Sequence, residues 1–167
     1  MVKGDYDLEK ELKKWLKNAD RIVIAGIGNP IRMDDYVGVK IAQDLRGKVS
    51  DRVMLLECET VPESYVQQIL DFDTTHLLLI DAALLGLKPG EAKLVNPKQL
   101  VGSSAFSTHM LPLRIFCEYL RKELKISIAL LLIEPRKTDF GEGLEPEISS
   151  SASKIVKTLD KILSEKT

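Results

Sequence analysis

Six acids and one histidine stand where an α/β chain would place its chemistry. Asp34 and Asp35 lie in the loop "AGIGNPIRMDDYVG", between the apolar run "RIVIAG" and the helical-period stretch "VGVKIAQDL". Glu57 and Glu59 close the run "RVMLLECE", Asp81 ends "HLLLID", and Glu134 ends "ISIALLLIE". His109 opens the helical stretch "HMLPLRIFCEYLRKEL". In open α/β sheets ligands bind beyond the carboxyl ends of the strands, so these acids and His109 point toward one edge.

A glycine turn between strand and helix commonly cradles phosphate. Here "GIGNPIRMDD" lacks the third glycine of GxGxxG and the Gly-Lys-Ser/Thr of a P-loop. Its two carboxylates would repel an anion, although a helix start favours negative charge. Two readings of Asp34 and Asp35 compete: helix caps, or ligands for a cation. For Asp81, an acid directly after "LLLI", the choice is between a salt bridge or turn and a ligand role, because a lone buried charge is costly. For His109 it is between a surface or satisfied core histidine and a neutral imidazole able to bind metal. Two carboxylates and an imidazole from three loops would form an oxygen–nitrogen metal site with positions left open.

Other schemes are weaker. There is no G-x-S-x-G elbow and no H-E-x-x-H. Cys58 could pair with His76 or His109 as a thiol–imidazole couple, but its apolar strand context indicates core packing. His76 precedes a strand and reads as structural.

The elements that must position these residues follow from periodicity. "DYDLEKELKKWLKNAD" has helical spacing, and "RIVIAG" is a short strand buried on both faces. A helix spans about residues 36–45 and stops at Gly47. "RVMLLEC" is a second strand, and Pro62 opens the next helix. "HLLLID" is a third strand, and "GLKPGEAKLVNP" holds turn residues and a short edge strand. "HMLPLRIFCEYLRKEL" is helical after its proline. A further buried strand follows, and the closing helix carries Ile148, Ile155, Leu159 and Ile162 on its apolar face. Residues 137–147 read as an exposed loop. Alternation of this kind gives an α/β three-layer sandwich, a mostly parallel twisted sheet with helices on both faces.

The 167 residues suit one domain, 1–167, with residues 1–20 as an extra N-terminal helix. A net charge of −1 gives no footprint for nucleic acid or an anionic membrane. The two cysteines lack CxxC spacing and suggest neither a disulfide scaffold nor a zinc cluster. No apolar run reaches the ~20 residues that span a bilayer, and the charged N-terminus holds no signal core. The expectation is a soluble cytoplasmic protein.

Taken in order, "AGIGNPIRMDDYVG", "LLLIDAALLGLKPGEAKLV", "STHMLPL" and "IEPRKTDFGEGLEPEI" resemble the hydrogenase maturation proteases. These endopeptidases process the large subunit of [NiFe] hydrogenases. The resemblance runs from about Arg21 to the closing helix and is closest to the branch serving membrane-bound, hydrogen-evolving hydrogenases. It implies removal of a C-terminal extension from the large-subunit precursor after nickel insertion. It also implies a metal-binding trio at the strand edge, which falls on Asp35, Asp81 and His109. The trio docks nickel that the substrate carries, and no permanent cofactor is expected. Nickel would then polarise the scissile carbonyl or activate water; alternatively it is a recognition signal, with Asp35 or Asp81 as general base. Asp34 caps the helix or positions its neighbour. Many family members have glycine directly after the acid pair. Tyr36 stands there instead, which implies an altered loop shape beside the site.

Peptidyl-tRNA hydrolase also opens with Gly-x-Gly-Asn-Pro, but its catalytic histidine stretch and basic surface are missing here. The same residues also admit a non-catalytic chaperone of the nickel-bearing subunit or a nucleotide-binding module. The partner implied is the large-subunit precursor, with no nucleic acid, no membrane insertion and a monomeric chain.

Overall fold

A computed structural model describes residues 6–100 and 110–165. His109 lies outside the described residues, as does the rest of 101–109.

Five strands form one sheet: β1 (Ile22–Ile27), β2 (Val53–Glu59), β3 (His76–Ala82), β4 (Ala92–Val95) and β5 (Ser127–Ile133). Their order is β2-β1-β3-β5-β4. The first four in that order are parallel, and β4 runs antiparallel to β5 at the edge. The helices are α1 (Leu8–Trp15), α2 (Val37–Asp44), α3 (Val66–Asp71), α4 (Met110–Glu123) and α5 (Pro146–Glu165). The α/β sandwich expected from the alternation is therefore the observed architecture.

The central strands β1, β3 and β5 are apolar along most of their length because both faces are covered. Successive side chains alternate, so each strand feeds two cores. Ile22, Ile24, Leu78, Ile80, Leu131 and Ile133 meet α1, α2 and α5 on one face. Val23, Ala25, Leu77, Leu79, Leu130 and Leu132 meet α3 and α4 on the other. The N-terminal helix is part of the first core: Leu12 and Leu16 are buried in it. Asp7 caps α1 through Lys10 N at 3.1 Å.

Two helix starts differ from the sequence expectation. Helix α4 begins at Met110, ahead of Pro112 rather than after it. A first-turn proline is tolerated because its missing N–H has no intrahelical partner to lose. Pro62 opens a short 3-10 turn, Pro62–Tyr65, before α3 proper. The 137–147 region is exposed in part, but it is tied down along its length, and α5 starts inside it at Pro146.

Candidate active site at the carboxyl edge of the sheet

After β1 the chain must turn over the sheet edge and enter α2. Gly28 permits this with φ +150°, and a side chain there would strike the Asp35 carbonyl, the nearest atom lying 1.9 Å from an ideal Cβ. Met33 adopts a left-handed φ of 46°, a conformation that costs a side-chain-bearing residue about 1–2 kcal/mol. That turn launches a 3-10 turn, Met33–Tyr36, which runs directly into α2. The start of α2 lies close upon β1 and β3. A Cβ at Gly38 would come within 2.0 Å of the Ile80 carbonyl oxygen and 2.5 Å of that of Ile27. This contact seats the acid loop beside the end of β3, where Asp81 follows Ile80.

Asp34, Asp35 and Asp81 are all buried. Neither loop acid caps a helix: the 3-10 turn and α2 both start without a side-chain cap. Asp35 Oδ2 accepts from Asn29 N at 2.9 Å, and Asn29 Oδ1 in turn accepts from Ile31 N at 3.1 Å. Asp81 Oδ1 accepts from Ala82 N at 2.9 Å. These bonds hold both carboxylates at the carboxyl edge of adjacent strands.

Asp34 faces elsewhere. Its Oδ2 accepts from Arg136 N at 2.9 Å and Lys137 N at 2.8 Å, and its Oδ1 accepts from Glu145 N at 2.8 Å. The loop after β5 is thus hung on one carboxylate. The backbone adds Asp34 N to Lys137 O at 3.0 Å, Met33 N to Gly141 O at 3.1 Å and Gly141 N to Ile31 O at 2.8 Å. Asp34 is a positioning residue, and its reach across 102–111 residues of sequence left no local signal.

The other acids divide off from the site. Glu134 is buried and accepts from Leu85 N and Leu87 N, at 3.0 and 2.8 Å, which shapes the loop after β3. Glu57 pairs with Gln43 and Arg46 on the flank of α2. Glu59 has a left-handed φ of 51°, and its carbonyl accepts from Gly28 N at 2.8 Å. Tyr36 is half-buried with φ −78° and ψ −7°. This ordinary right-handed conformation needs no glycine.

Thiol chemistry finds no support. Both cysteines are free and buried, and burial pushes each thiol up to about 12, the Cys58 shift being aided by Glu63. His76 begins β3 at the opposite edge, where it meets Trp15 edge-on with centroids 5.2 Å apart. Its level in the sheet matches Val53, five residues before Cys58, so roughly 16 Å of strand separates the two. Two concavities of about 550 and 420 Å³ also lie at that far edge and share Asn96, Ser127 and Ile128 in their walls. They hold none of the buried acids.

The structure therefore brings Asp35 and Asp81 to one edge and assigns Asp34 to the scaffold. Among the described residues no group of three or more His, Cys, Asp or Glu side chains could hold a metal ion. Carboxylates at such an edge can accept a proton from water or ligate a hard or borderline cation.

A family model described as HycI, hydrogenase maturation protease, matches residues 39–163. A putative hydrogenase maturation protease of Methanocaldococcus jannaschii is 34% identical, with 95% of this chain and 97% of that protein covered. The hydrogenase 3 maturation protease of Escherichia coli K12 is 23% identical over 83% of this chain and 88% of its own length. The crystal structure of a [NiFe] hydrogenase maturation protease, HycI, from Thermococcus kodakarensis superposes with a TM-score of 0.86 at 34% identity, covering 92% of this chain and 99% of that one.

Proposed function

We propose that this chain, which belongs to the hydrogenase maturation protease family and is a peptide hydrolase, removes the C-terminal extension of a [NiFe]-hydrogenase large-subunit precursor after nickel insertion. The observation that carries this reading is the pair of buried acids, Asp35 and Asp81, held at the carboxyl edge of β1 and β3 in a chain of this family.

Nickel arrives with the substrate, held by its cysteines. Asp35, Asp81 and His109 complete its coordination and so fix the adjacent peptide at the sheet edge. The chain needs no permanent cofactor. In the hydrolytic step, water oxygen bonds to the scissile carbonyl carbon as its proton passes to a base. The C–N bond then breaks and the proton reaches the leaving amine. Nickel stabilises the developing oxyanion or acidifies the water. Asn29 N, donating to Asp35 Oδ2, orients that carboxylate. The protein works as a monomer in the cytoplasm, on a precursor of the membrane-bound, hydrogen-evolving class.

The test is processing of a nickel-loaded precursor by wild type, Asp35→Ala, Asp81→Ala and His109→Ala, read by mass. Each variant is expected to lose at least a hundredfold in rate. Wild-type rates for all three would refute the site. Efficient cleavage of nickel-free precursor would defeat nickel docking and leave a carboxylate acting as general base.

A further inference from the structure

Ile31, Val61, Leu84 and Phe140 are exposed large hydrophobic residues, and each follows a different parallel strand at the edge that carries Asp35 and Asp81. Single exposed apolar residues are ordinary; adjacent ones at a functional edge offer a binding surface. Phe140 is the extreme case at 85% exposure, and Ile31 is 45% exposed.

These two belong together. Ile31 O accepts from Gly141 N at 2.8 Å, next to Phe140, and Arg32 forms a parallel bridge with Gly141. Arg32 Nε donates to Thr138 O at 3.2 Å. The Asp34 carboxylate binds the same segment at Arg136, Lys137 and Glu145. The segment bearing Phe140 is therefore fixed to the loop bearing Asp35 at both ends and in the middle. An exposed phenylalanine on a loop so tied down has its backbone, and so the root of its side chain, in a set place beside Ile31.

We propose that Ile31 and Phe140 form an apolar clamp for a large hydrophobic side chain of the substrate's extended segment beside the scissile bond, and that Asp34 is the positioning residue that sets the clamp. The occupant follows from the activity. A peptide hydrolase must lay an extended chain along its site, and Ile31 precedes Asp35 by only four residues. Apolar pockets discriminate by the area they bury, so the clamp sets which extension is accepted more than how fast it is cut. This inference rests on the Asp35–Asp81 edge being the site of cleavage.

The experiment is steady-state cleavage of nickel-loaded precursor by Phe140→Ala, Phe140→Leu, Ile31→Ala and Asp34→Asn, with Asp81→Ala alongside. Phe140→Ala and Ile31→Ala are expected to raise KM about tenfold or more with kcat within about twofold. Phe140→Leu should recover most of that loss. Asp34→Asn should raise KM similarly, and adding Phe140→Ala to it should raise KM little further, because the clamp is already displaced. A purely structural role for Asp34 would instead give additive effects. Phe140 is a surface side chain, so its variants fold and keep the test decisive. Unchanged KM for Phe140→Ala, with Asp81→Ala inactive, overturns the clamp and leaves the acid site standing. A wild-type rate for Asp81→Ala overturns the acid assignment and, with it, the clamp that this edge places, whatever the KM of Phe140→Ala.

Discussion

Removing the Asp34 carboxylate should unfasten the loop after β5 from the acid loop. Asp34 is fully buried and accepts three backbone N–H bonds at 2.8–2.9 Å. A hydrogen bond to a charged group contributes about 1.5–3 kcal/mol. The three donors are only partly buried, so water replaces part of what is lost. Asp34→Ala should then cost about 3–4 kcal/mol, and Asp34→Asn, which keeps one acceptor oxygen, about 2 kcal/mol. Urea unfolding measures this directly. With a slope of about 2 kcal/mol/M for a chain of this size, the alanine variant's midpoint falls by about 1.5–2 M. Hydrogen exchange should show the amides of Arg136, Lys137 and Glu145 losing protection ahead of the β-sheet. A cost for Asp34→Ala below ~0.5 kcal/mol, the scale of an ordinary surface change, would refute the anchoring role.

Gly38→Ala should destabilise by about 3 kcal/mol in the same assay, because its Cβ would meet the Ile80 carbonyl oxygen at 2.0 Å; a neutral effect would mean that α2 does not sit on β1 and β3 as described. Leu12→Ala should cost about 2–5 kcal/mol, since α1 is part of the main core; a loss near zero would make α1 an appendage. The Cys58 and Cys117 thiols are raised from 9.0 to about 12 by burial. The folded state thus holds their protons longer than the unfolded state. This stabilisation is complete below pH 9 and is lost as pH rises from 9 toward 12, by about 1.4 kcal/mol per pH unit for each thiol. Native protein should resist iodoacetamide at pH 8, and rapid labelling of either cysteine would contradict the buried assignment.

The strands were legible because a parallel strand covered on both faces reads as an unbroken apolar run, as "RIVIA", "HLLLI" and "IALLLI" do. The short edge strand β4 was recoverable from its flanking turn residues. The position of Asp35 and Asp81 at the carboxyl edge is legible from the apolar runs that precede them. Asp34 was harder. Its type and position suit a helix cap or a support for Asp35, and nothing nearby in sequence reveals that its partners are Arg136, Lys137 and Glu145. Glu134 poses the same difficulty: it ends a strand at the right edge, yet it holds Leu85 and Leu87. Tyr36, beside the acids, has an ordinary right-handed backbone, and the glycine that the turn demands is Gly28, where φ is +150°. Dihedral demands of that kind are set by the path of the chain over the sheet and have no signature in periodicity.

The proposed role of Asp35 and Asp81 as the working edge of a peptide hydrolase stands or falls on cleavage itself. The most direct measurement is the mass of a nickel-loaded large-subunit precursor incubated with wild type, Asp35→Ala or Asp81→Ala, with folding of each variant verified by its melting transition. Wild type should shorten the precursor by a C-terminal peptide, while both variants leave its mass unchanged. Full-rate processing by both folded variants would show that neither acid serves the cleavage.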